Sequence, residues 1–469
     1  MDLRYASPTA IGKAARCLHT WYLECFGDRA KKRPPDAGTE LLIRRGEENE
    51  LRRVATLKDV ARPQWNKSDW AMGVSATLDL MRAGCPWIYQ GVLQHGRYRG
   101  LPDLLQCVDG SSSLGAFTYR PVDIKNHATV SVKDRFQLMA YAHLLEPVLG
   151  SRPTEGAIWL STDALEAVDL PAYEKDFQDL LGQMDQVLQG KLVPAAYRCT
   201  ECRGCPWIDD CRATWEATRH VSLLAGVSAS VSRKLCQAGL SSWKDLVAAG
   251  EAGVARVVGA GKEAAARDIW LHAMAWETGK PQTRRPARFP SDLPIHFYDI
   301  ETFNGSVYLH GDVRLHRDSR EERQFFADDP ADERRVWHEF LDWLARDRDA
   351  LVYCWASYEV GFARSLWERH GGNPDGWKHL ARSLRDQKEF VKEHFALPVT
   401  TYSIKEVAPA FGFHWTAVDA GGLNSESWYG DWLARRDPAL KAKILRYNLD
   451  DVLAMEVIDR ELRPLGVPS

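Results

Sequence analysis

Two acidic residues on alternate positions of an apolar stretch are the first feature of the sequence that could do chemistry. Asp299 and Glu301 interrupt the run IHFYDIET, which is otherwise typical of a buried strand. Side chains two residues apart on a strand point to the same face of the sheet. Neighbouring carboxylates repel each other, and their burial is costly unless a cation compensates. The spacing therefore indicates either a strand end open to water or a cation site.

Three more side chains in the last third of the chain can join this pair. Glu359 opens a predicted helix after the strand-like run ALVYCW, and Tyr447 and Asp451 lie four residues apart in YNLDDV, hence on one helix face. Four carboxylates can hold two Mg²⁺ or Mn²⁺ ions, which activate water and stabilise the leaving oxygen of a phosphodiester. The neutral hydroxyl of Tyr447 can orient the attacking water without adding charge.

The motif DIET followed far downstream by Y-x-x-x-D resembles the tyrosine variety of the DEDD exonucleases. The segments TYSIKEVAPAFGF and SWYGDWL are similar to a bacterial branch with YprB-like nuclease domains. The resemblance covers residues 295–462. It implies an RNase H-like fold with a mixed sheet flanked by helices, and 3′-to-5′ hydrolysis of single-stranded ends. Glu359 stands where the wider group has aspartate, so the metal geometry expected at that position differs by one methylene.

A cysteine cluster, RCTECRGCPWIDDC, marks the end of the first half of the chain. Clustered cysteines in a reducing compartment favour a metal over disulfides. Cys199 and the three cysteines that follow it could by themselves form a four-thiolate zinc site. One early cysteine combined with three late ones resembles the iron–sulfur RecB-like nucleases, including the CRISPR adaptation nucleases and the nuclease domain of the AddB helicase subunit. That resemblance implies a structural [4Fe–4S] cluster, with zinc as the alternative and Cys199 as a spare or the ligand of a local zinc knuckle. The implied cluster ligands are Cys17, Cys202, Cys205 and Cys211.

Between these cysteines lies a second set of acidic residues. Asp103 begins a strand-like run, Asp123 and Lys125 alternate in PVDIKN, and Gln137 and Tyr141 share a helix face. The set resembles the PD-(D/E)xK nucleases with the Q-x-x-x-Y helix of RecB-like members. The resemblance implies a restriction-endonuclease-like fold, one or two Mg²⁺ or Mn²⁺ ions held by the two aspartates, and a lysine that polarises the water or the phosphate.

An earlier segment, RRGEENELRRV, corresponds to a motif of these nucleases that often carries G-x-x-H-E. Glu50 is retained, whereas Asn49 replaces the histidine. Because asparagine is a poorer metal ligand than imidazole, one alternative is that the first domain is only a DNA-binding clamp and that the C-terminal domain alone cuts.

The segment VVGAGKEAA looks like the turn of a helix-hairpin-helix motif. Gly259 and Gly261 permit a tight turn, and the N–H groups at the start of the next helix, beside Lys262, could hold a DNA phosphate. The alternative is a plain helical bundle in which the glycines serve only the geometry of the turn.

The helices and strands needed to position these residues indicate a multidomain α/β protein. Strand candidates (IHFYDIE, ALVYCW) alternate with helix candidates (ERRVWHEFLDWLARD, ALKAKILRYNLDDVLAMEVIDREL) in the C-terminal third, an α/β signature. We predict a RecB-like nuclease domain over 1–217, a small all-α DNA-contacting domain over 218–280, a Pro- and Arg-rich linker over 281–294, and an RNase H-like exonuclease domain over 295–469.

The composition sets limits on the class of protein. The 469 residues are 45% hydrophobic and 27% charged, which is globular composition. The sequence lacks both a long apolar stretch and a signal peptide, so we expect a cytoplasmic protein without a membrane partner. The net charge of −3 means that any DNA-binding groove must be local.

Together these features predict a metal-dependent nuclease that acts on DNA with single-stranded ends. The resemblance to RecB-like proteins that combine such domains, sometimes alongside a helicase, implies a helicase partner and, by analogy only, a role in DNA repair, mobile-element processing or defence. Two further alternatives stay open: an RNA substrate, and a non-catalytic scaffold that binds nucleic acid.

Overall fold

The structure is a computed structural model that describes residues 5–290, 292–347, 349–416 and 422–467. The chain divides into two compact units. One comprises the described residues of 1–34 and 42–211, and the other those of 35–41 and 212–469. The predicted 218–280 and 295–469 segments therefore fall in the same unit. No described helix is both long enough and apolar enough to cross a membrane.

The first half of the chain mixes helices with short strands. Its elements are α1 (Pro8–Arg16), α2 (Leu18–Phe26), α3 (Ala37–Val54), β1 (Val60–Ala61), α4 (Trp70–Arg82), β2 (Trp87–Tyr89), β3 (Leu93–His95), β4 (Tyr98–Gly100), β5 (Leu104–Ser112), β6 (Gly115–Ile124), α5 (Val132–Leu149), β7 (Glu155–Trp159), β8 (Leu165–Asp169), α6 (Glu174–Leu188) and α7 (Ile208–Thr218).

A mixed sheet organises the first unit, with the described strands in the order β1-β2-β5-β6-β7-β8. Strands β5 and β6 are antiparallel, with Leu104 opposite Val122. This register brings Asp103, just before β5, opposite Asp123 at the end of β6, so two residues twenty positions apart become cross-strand neighbours. Helix α5 packs beside this sheet, with 11 of its 18 residues buried.

The second half contains a larger set of elements. They are α8 (Ala229–Gln237), α9 (Trp243–Val258), α10 (Glu263–Thr278), β9 (Gln282–Thr283), β10 (Ile295–Phe303), β11 (Ser306–His316), β12 (Ser319–Phe326), α11 (Glu333–Leu344), β13 (Leu351–Cys354), α12 (Tyr358–His370), α13 (Pro374–Ser383), β14 (Leu384–Asp386), α14 (Gln387–His394), β15 (Phe395–Ala396), α15 (Ile404–Val407), α16 (Gly422–Arg435) and α17 (Pro438–Leu462).

The second unit is built on a mixed sheet in which β10 is the central strand. The order of the described strands is β12-β11-β10-β13-β14. Strand β10 pairs antiparallel with β11 and parallel with β13. Phe297 of β10 packs with Val452 and Met455 of α17 in one buried cluster, which fixes the last helix against the strand that carries Asp299. The predicted mixed α/β class is confirmed.

The segment predicted as a linker is packed within the second unit. Strand β9 pairs antiparallel with β15, and Ala287 and Phe289 are buried in an apolar cluster. The helical segment before it is also anchored, because the Ala225 N–H donates to the Val399 carbonyl at 3.2 Å. Pro and Arg dominate the segment, yet Ala287 and Phe289 are core residues, whereas Leu293 is exposed.

Candidate active site

Three predicted carboxylates converge in the second unit. Asp299, Glu301 and Asp451 each offer an oxygen atom, and these atoms lie within 4.8 Å of one another. Among the described residues, no other group of three Asp, Glu, His or Cys side chains is as compact. Glu301 and Asp451 are buried, whereas Asp299 keeps a partly exposed surface. The site is therefore enclosed on one side and accessible on the other.

Local backbone geometry explains how the two strand acids reach this position. Asp299 and Glu301 share a face of β10 because they are two residues apart. The ladder between β10 and β11 shifts register immediately after Glu301. Such a bulge bends the strand and re-aims its side chains, and it often occurs beside active sites. Asp451 comes from α17, which packs across β10 and β11.

A chain of hydrogen bonds behind the site holds Asp299 in place. Asn448 of α17 donates through Nδ2 to Asp299 Oδ2 at 2.9 Å. Gln324 of β12 donates to Asn448 Oδ1 at 3.0 Å and to the Leu445 carbonyl at 2.7 Å. Gly311 of β11 leaves room for this contact, because a Cβ there would lie 1.9 Å from Asn448 Oδ1. Asn448, Gln324 and Gly311 are thus positioning residues for the strand carboxylate.

A lysine and two aromatic residues surround Asp451. The Lys405 ammonium pairs with Asp451 Oδ1, and Trp415 Nε1 donates to the same oxygen at 2.7 Å. Lys405 also lies over the rings of Trp415, 4.0 Å from the centroid, and of Tyr447, 4.4 Å from the centroid. Tyr447 lies one helical turn before Asp451, as its spacing predicts, and is buried. Its hydroxyl therefore lies close to the carboxylate group.

Electrostatic repulsion dominates the site. Burial raises the pKa of Asp299 well above its usual range, and the neighbouring Asp451, Glu301 and Glu359 charges raise it further. Burial and the Asp451 charge raise the pKa of Glu301 in the same way, opposed by a hydrogen bond from Ser425 and by Lys405. Without a further cation, these carboxyl groups would therefore hold protons at pH values at which free carboxyl groups are ionised.

Glu359 lies beside this group rather than within it. It occupies the first turn of α12 and is buried, and its Oε2 atom lies without a hydrogen-bond partner among the described residues. Burial raises its pKa to about 8, with smaller contributions from the Asp386 and Asp451 charges. A buried carboxylate oxygen without a partner is costly, so it is suited to a second cation or to a bound group.

The donor set fits a hard divalent cation. Mg²⁺ and Mn²⁺ prefer carboxylate oxygens, and three such groups converge here, where Lys405 is the one lysine of the described residues that pairs with any of them. Asp299, Glu301 and Asp451 would hold one ion, and the unpartnered oxygen of Glu359 is available for another. The adjacent Asp450 is not part of this set, because it accepts hydrogen bonds from Thr416 and pairs with Arg446 at 2.9 Å.

The predicted N-terminal site also assembles, but with different chemistry. Lys125 pairs directly with Asp123, which is only 1% exposed. Gln137 donates to Asp123 Oδ1 at 3.3 Å, and Asp103 Oδ2 accepts the Ile124 N–H at 2.6 Å. Burial raises the pKa of Asp103 well above its usual range, with Asp123 and Glu50 as the next causes. The lysine and these hydrogen bonds already compensate much of the local negative charge.

Tyr141 and Glu50 lie at the edges of this second site. Tyr141 is buried and donates to the Leu101 carbonyl at 2.9 Å. Glu50 on α3 accepts a hydrogen bond from Gln90 Nε2 at 3.1 Å. Asn49, at the position of the missing histidine, accepts from Arg53 Nε at 3.1 Å. Its side chain is therefore used within α3 and does not face the aspartates as a ligand.

The cysteines at the two ends of the first unit lie together. The Cys199 and Cys202 sulfurs are 3.9 Å apart, and the Cys199 N–H donates to Cys202 Sγ at 3.4 Å. A hydrogen bond with Cys199 and burial raise the pKa of Cys17, and burial raises that of Cys211 to about 12, with the Cys17 and Cys205 thiols as further causes. Cys199, predicted as a spare, thus contacts two of the four predicted ligands.

The glycine turn of the helical segment lies between α9 and α10. Gly259 and Gly261 both have positive φ, 109° and 76°, which explains why glycine occupies these positions. Lys262 is the N-cap of α10. The Gly261 N–H donates to the exposed Glu263 side chain at 3.0 Å, so a phosphate at this turn would have to displace that carboxylate.

Comparison with known proteins assigns the C-terminal part. A sequence profile of the RNase H superfamily matches residues 296–463, a range that contains the converging carboxylates, Glu359 and Tyr447. This part of the chain is an RNase H-like domain. Domains of this kind are generally metal-dependent nucleases and act on nucleic acid. No curated protein matches the chain.

Sequence reasoning missed the side chains that support the acidic site. Lys405 lies in the segment TYSIKEV, and Asn448 lies between Tyr447 and Asp451, yet neither was predicted to have a role. Asn448 had a detectable signal, since it is a polar residue on a helix that otherwise packs against the sheet. Lys405 had none, because a lysine on a short helix is usually a solvated surface residue.

Proposed function

We propose that this chain is a Mg²⁺- or Mn²⁺-dependent nuclease that hydrolyses DNA with single-stranded ends, from the 3′ end, through its C-terminal site. The observation that carries the proposal is the convergence of Asp299, Glu301 and Asp451 within 4.8 Å inside an RNase H-like domain. Divalent ions at this site would supply water activation and stabilisation of the leaving oxygen.

The protein's own residues have separate tasks in this proposal. Tyr447 remains a neutral hydrogen-bond donor, because burial and the neighbouring carboxylates raise its pKa well above the usual value. It can therefore orient a water or a phosphate oxygen without adding charge. Lys405 supplies positive charge at Asp451, which reduces repulsion of the anionic substrate. Asn448 fixes the orientation of Asp299.

A second function is supported for the first unit: a clamp that binds DNA without cutting it. Lys125 forms an ion pair with Asp123, and Gln137 donates a hydrogen bond to it. The Asn49 side chain accepts a hydrogen bond from Arg53. This arrangement leaves less uncompensated negative charge for a metal than the C-terminal site has. The competing function is a second PD-(D/E)xK nuclease site at Asp103 and Asp123, as the motif predicts.

The cysteine cluster is proposed to hold a [4Fe–4S] cluster that joins the two ends of the first unit. Four thiolates on one zinc ion would lie roughly 3.8 Å apart, given a Zn–S bond of about 2.3 Å. The 3.9 Å between the Cys199 and Cys202 sulfurs matches this spacing, so a zinc site that includes Cys199 is the competing proposal. Visible absorption and iron, sulfide and zinc analysis of anaerobically purified protein would distinguish the two metals.

The remaining parts of the proposal concern partners and location. We propose that the turn at Gly259, Gly261 and Lys262 contacts the DNA backbone, that the protein is cytoplasmic, and that it works beside a helicase. The first point is supported by the space beside both glycines, where a Cβ would meet no other atom within 4 Å, and it requires a phosphate to replace the Glu263 carboxylate at the Gly261 N–H.

Digestion of end-labelled strands tests the proposal. Single-stranded DNA, duplex DNA and RNA, labelled at the 5′ or the 3′ end, would be incubated with the full chain in Mg²⁺, Mn²⁺ or EDTA. The variants are Asp299→Asn and Asp123→Asn, with Glu461→Gln as a control at an exposed carboxylate on the same helix as Asp451. Asp299→Asn should slow cleavage by roughly 10²–10³-fold, the scale of one preorganised electrostatic group.

The outcomes separate the alternatives. If cleavage is lost in Asp299→Asn and retained in Asp123→Asn, the protein is a C-terminal nuclease with an N-terminal clamp. If each variant loses part of the cleavage activity, both sites are catalytic. Faster cleavage of RNA than of DNA would show that RNA, and not DNA, is the preferred substrate. Binding of nucleic acid without metal-dependent cleavage by the wild-type chain would overturn the nuclease proposal and leave the scaffold.

A further inference from the structure

The first unit contains a cavity that no motif predicted. Its volume is about 360 Å³, and it lies among the N-terminal segment, α4, β4 and α5. This size is at the lower end of pockets that hold small ligands and is too small for a base-paired helix. The lining residues that matter here are Tyr5, Trp70, Arg99, Gly100 and Tyr141.

Arg99 is the main charged group of the cavity. Its guanidinium lies 4.1 Å from the ring centroid of Tyr5 and 4.6 Å from that of Trp70. Among the described residues, no carboxylate pairs with this guanidinium. The two rings hold the planar group by cation–π contact, while its N–H donors stay available. An arginine held in this way suits a phosphate, which it can bind through two parallel hydrogen bonds.

The cavity also borders the predicted N-terminal acidic site. Tyr141 and Leu101 both line the cavity, and the Tyr141 hydroxyl donates to the Leu101 carbonyl at 2.9 Å. Asp103 follows Leu101 by two residues, so the cavity and the acidic site share this stretch of backbone.

Aromatic side chains next to an arginine are the features with which proteins bind unpaired bases. Trp70 and Tyr5 are half-buried, so part of each ring stays open to the cavity. Base stacking on such rings tolerates any sequence, because every base has a π face. A duplex would not fit, since its bases are already stacked and paired.

We infer that this cavity holds one unpaired nucleotide of a DNA strand, with its phosphate on Arg99 and its base against Trp70 and Tyr5. The inference rests on the proposed function, because it takes the substrate to be DNA with single-stranded ends. It holds whether the adjacent acidic site cuts or only clamps. Because only an unpaired nucleotide fits this cavity, the first unit should bind single strands more tightly than duplexes.

The test is binding without hydrolysis. The full chain in EDTA would be titrated onto a fluorescent single strand and onto a blunt duplex, and anisotropy would be measured at several salt concentrations. The variants are Arg99→Gln, Trp70→Ala and the milder Trp70→Phe. Arg82→Gln is the matched control, because Arg82 is an exposed arginine at the end of α4 that pairs with Asp79.

The expected results differ between the two contacts. Trp70→Ala should weaken single-strand binding by roughly 5- to 100-fold, the range for one base stacked on an aromatic ring, and should change the salt dependence less than Arg99→Gln does, because Tyr5 still contacts the guanidinium. Trp70→Phe should retain most of the affinity. Arg99→Gln should weaken binding and also reduce the slope of log K against log salt by about 0.7, the value for one phosphate contact on a single strand. Duplex binding and the Arg82→Gln protein should be unaffected.

Two results would overturn the inference, and they differ from failure of the proposed function. If Arg99→Gln binds single strands with the affinity and the salt slope of the wild type, Arg99 does not contact a phosphate. If a variant loses as much affinity for the duplex as for the single strand, the cavity does not select unpaired DNA. If Trp70→Ala does not fold, as its melting curve would show, Arg99→Gln and Trp70→Phe decide the result. Absence of any nucleic-acid binding by the wild-type chain would instead overturn the proposed function.

Discussion

The two acidic sites of this chain use the same residue types but compensate their charge in different ways. In the first unit, Lys125 pairs with Asp123, and the Ile124 N–H and the Gln137 amide satisfy further carboxylate oxygens. In the second unit, Asp299 and Glu301 face Asp451, and the single lysine is on Asp451.

This difference shows why spacing alone does not identify a metal site. Both sites derive from carboxylates placed by strand alternation, and both bury them. The site that lacks enough internal cations and donors requires an external cation to be stable in its charged form. The site with its own lysine can persist without one.

The largest change in stability is expected when the charge compensation between Asp123 and Lys125 is removed from the first unit. Asp123→Ala removes the partner of Lys125 and leaves a largely buried ammonium, so we expect the free energy of unfolding to fall by about 3–5 kcal/mol. Denaturant unfolding in EDTA measures this change.

The matched change in the second unit should have the opposite sign. Asp299→Ala removes one of three repelling carboxylates and should raise stability in EDTA by about 1–2 kcal/mol, although it abolishes the proposed activity. Mg²⁺ should raise the melting temperature of the wild-type chain more than that of Asp299→Ala. If Asp123→Ala and Asp299→Ala destabilise the protein equally in EDTA, the hypothesis that the two sites differ in charge compensation is wrong.

A further effect concerns the positioning of Asp299. Gly311→Ala places a Cβ 1.9 Å from Asn448 Oδ1, which must displace the side chain that orients the carboxylate. We expect a loss of about 2–3 kcal/mol in unfolding free energy together with slower cleavage. Gly361→Ala is the matched control, since a Cβ in that turn of α12 meets no atom within 4 Å. It should leave cleavage unchanged and slightly increase stability.

The last effect tests a buried charge on β10 that is compensated from within the chain. Burial alone would lower the pKa of His296, but Asp312 and Asp347 raise it to about 9. Because the folded pKa lies above the unfolded value, this stabilisation is complete below about pH 6.5 and is lost as the pH rises through about 9.

We therefore expect wild-type stability to decrease by roughly 3 kcal/mol between these pH values, and His296→Gln to lack this dependence. Melting temperatures across the range measure it, with the exposed His414→Gln as control. A profile of His296→Gln parallel to wild type would show that the histidine is not charged in the folded protein.

Much of the C-terminal architecture follows from local pattern. Alternation placed Asp299 and Glu301 on one face of a strand, and a four-residue spacing placed Tyr447 and Asp451 on one face of a helix. Both depend only on the period of the backbone, which neighbouring residues determine. The N-terminal strands and the helix of Gln137 were predictable for the same reason.

The segment predicted as a linker shows what composition does not reveal. Residues 281–294 are rich in Pro and Arg, and Ala287 and Phe289 within them are buried. Whether an isolated apolar side chain is covered depends on what packs against it, and that information is absent from the segment itself.

The amino-acid sequence alone determined which side chains share a face, and therefore which carboxylates could act in pairs. The tertiary structure decided that Asp451 meets Asp299 across about 150 positions, that Lys405 is the lysine on Asp451, and that Cys199 lies beside Cys17. The physical reason is that a face is set by local backbone geometry, whereas a site and its charge balance are set by which distant elements pack together.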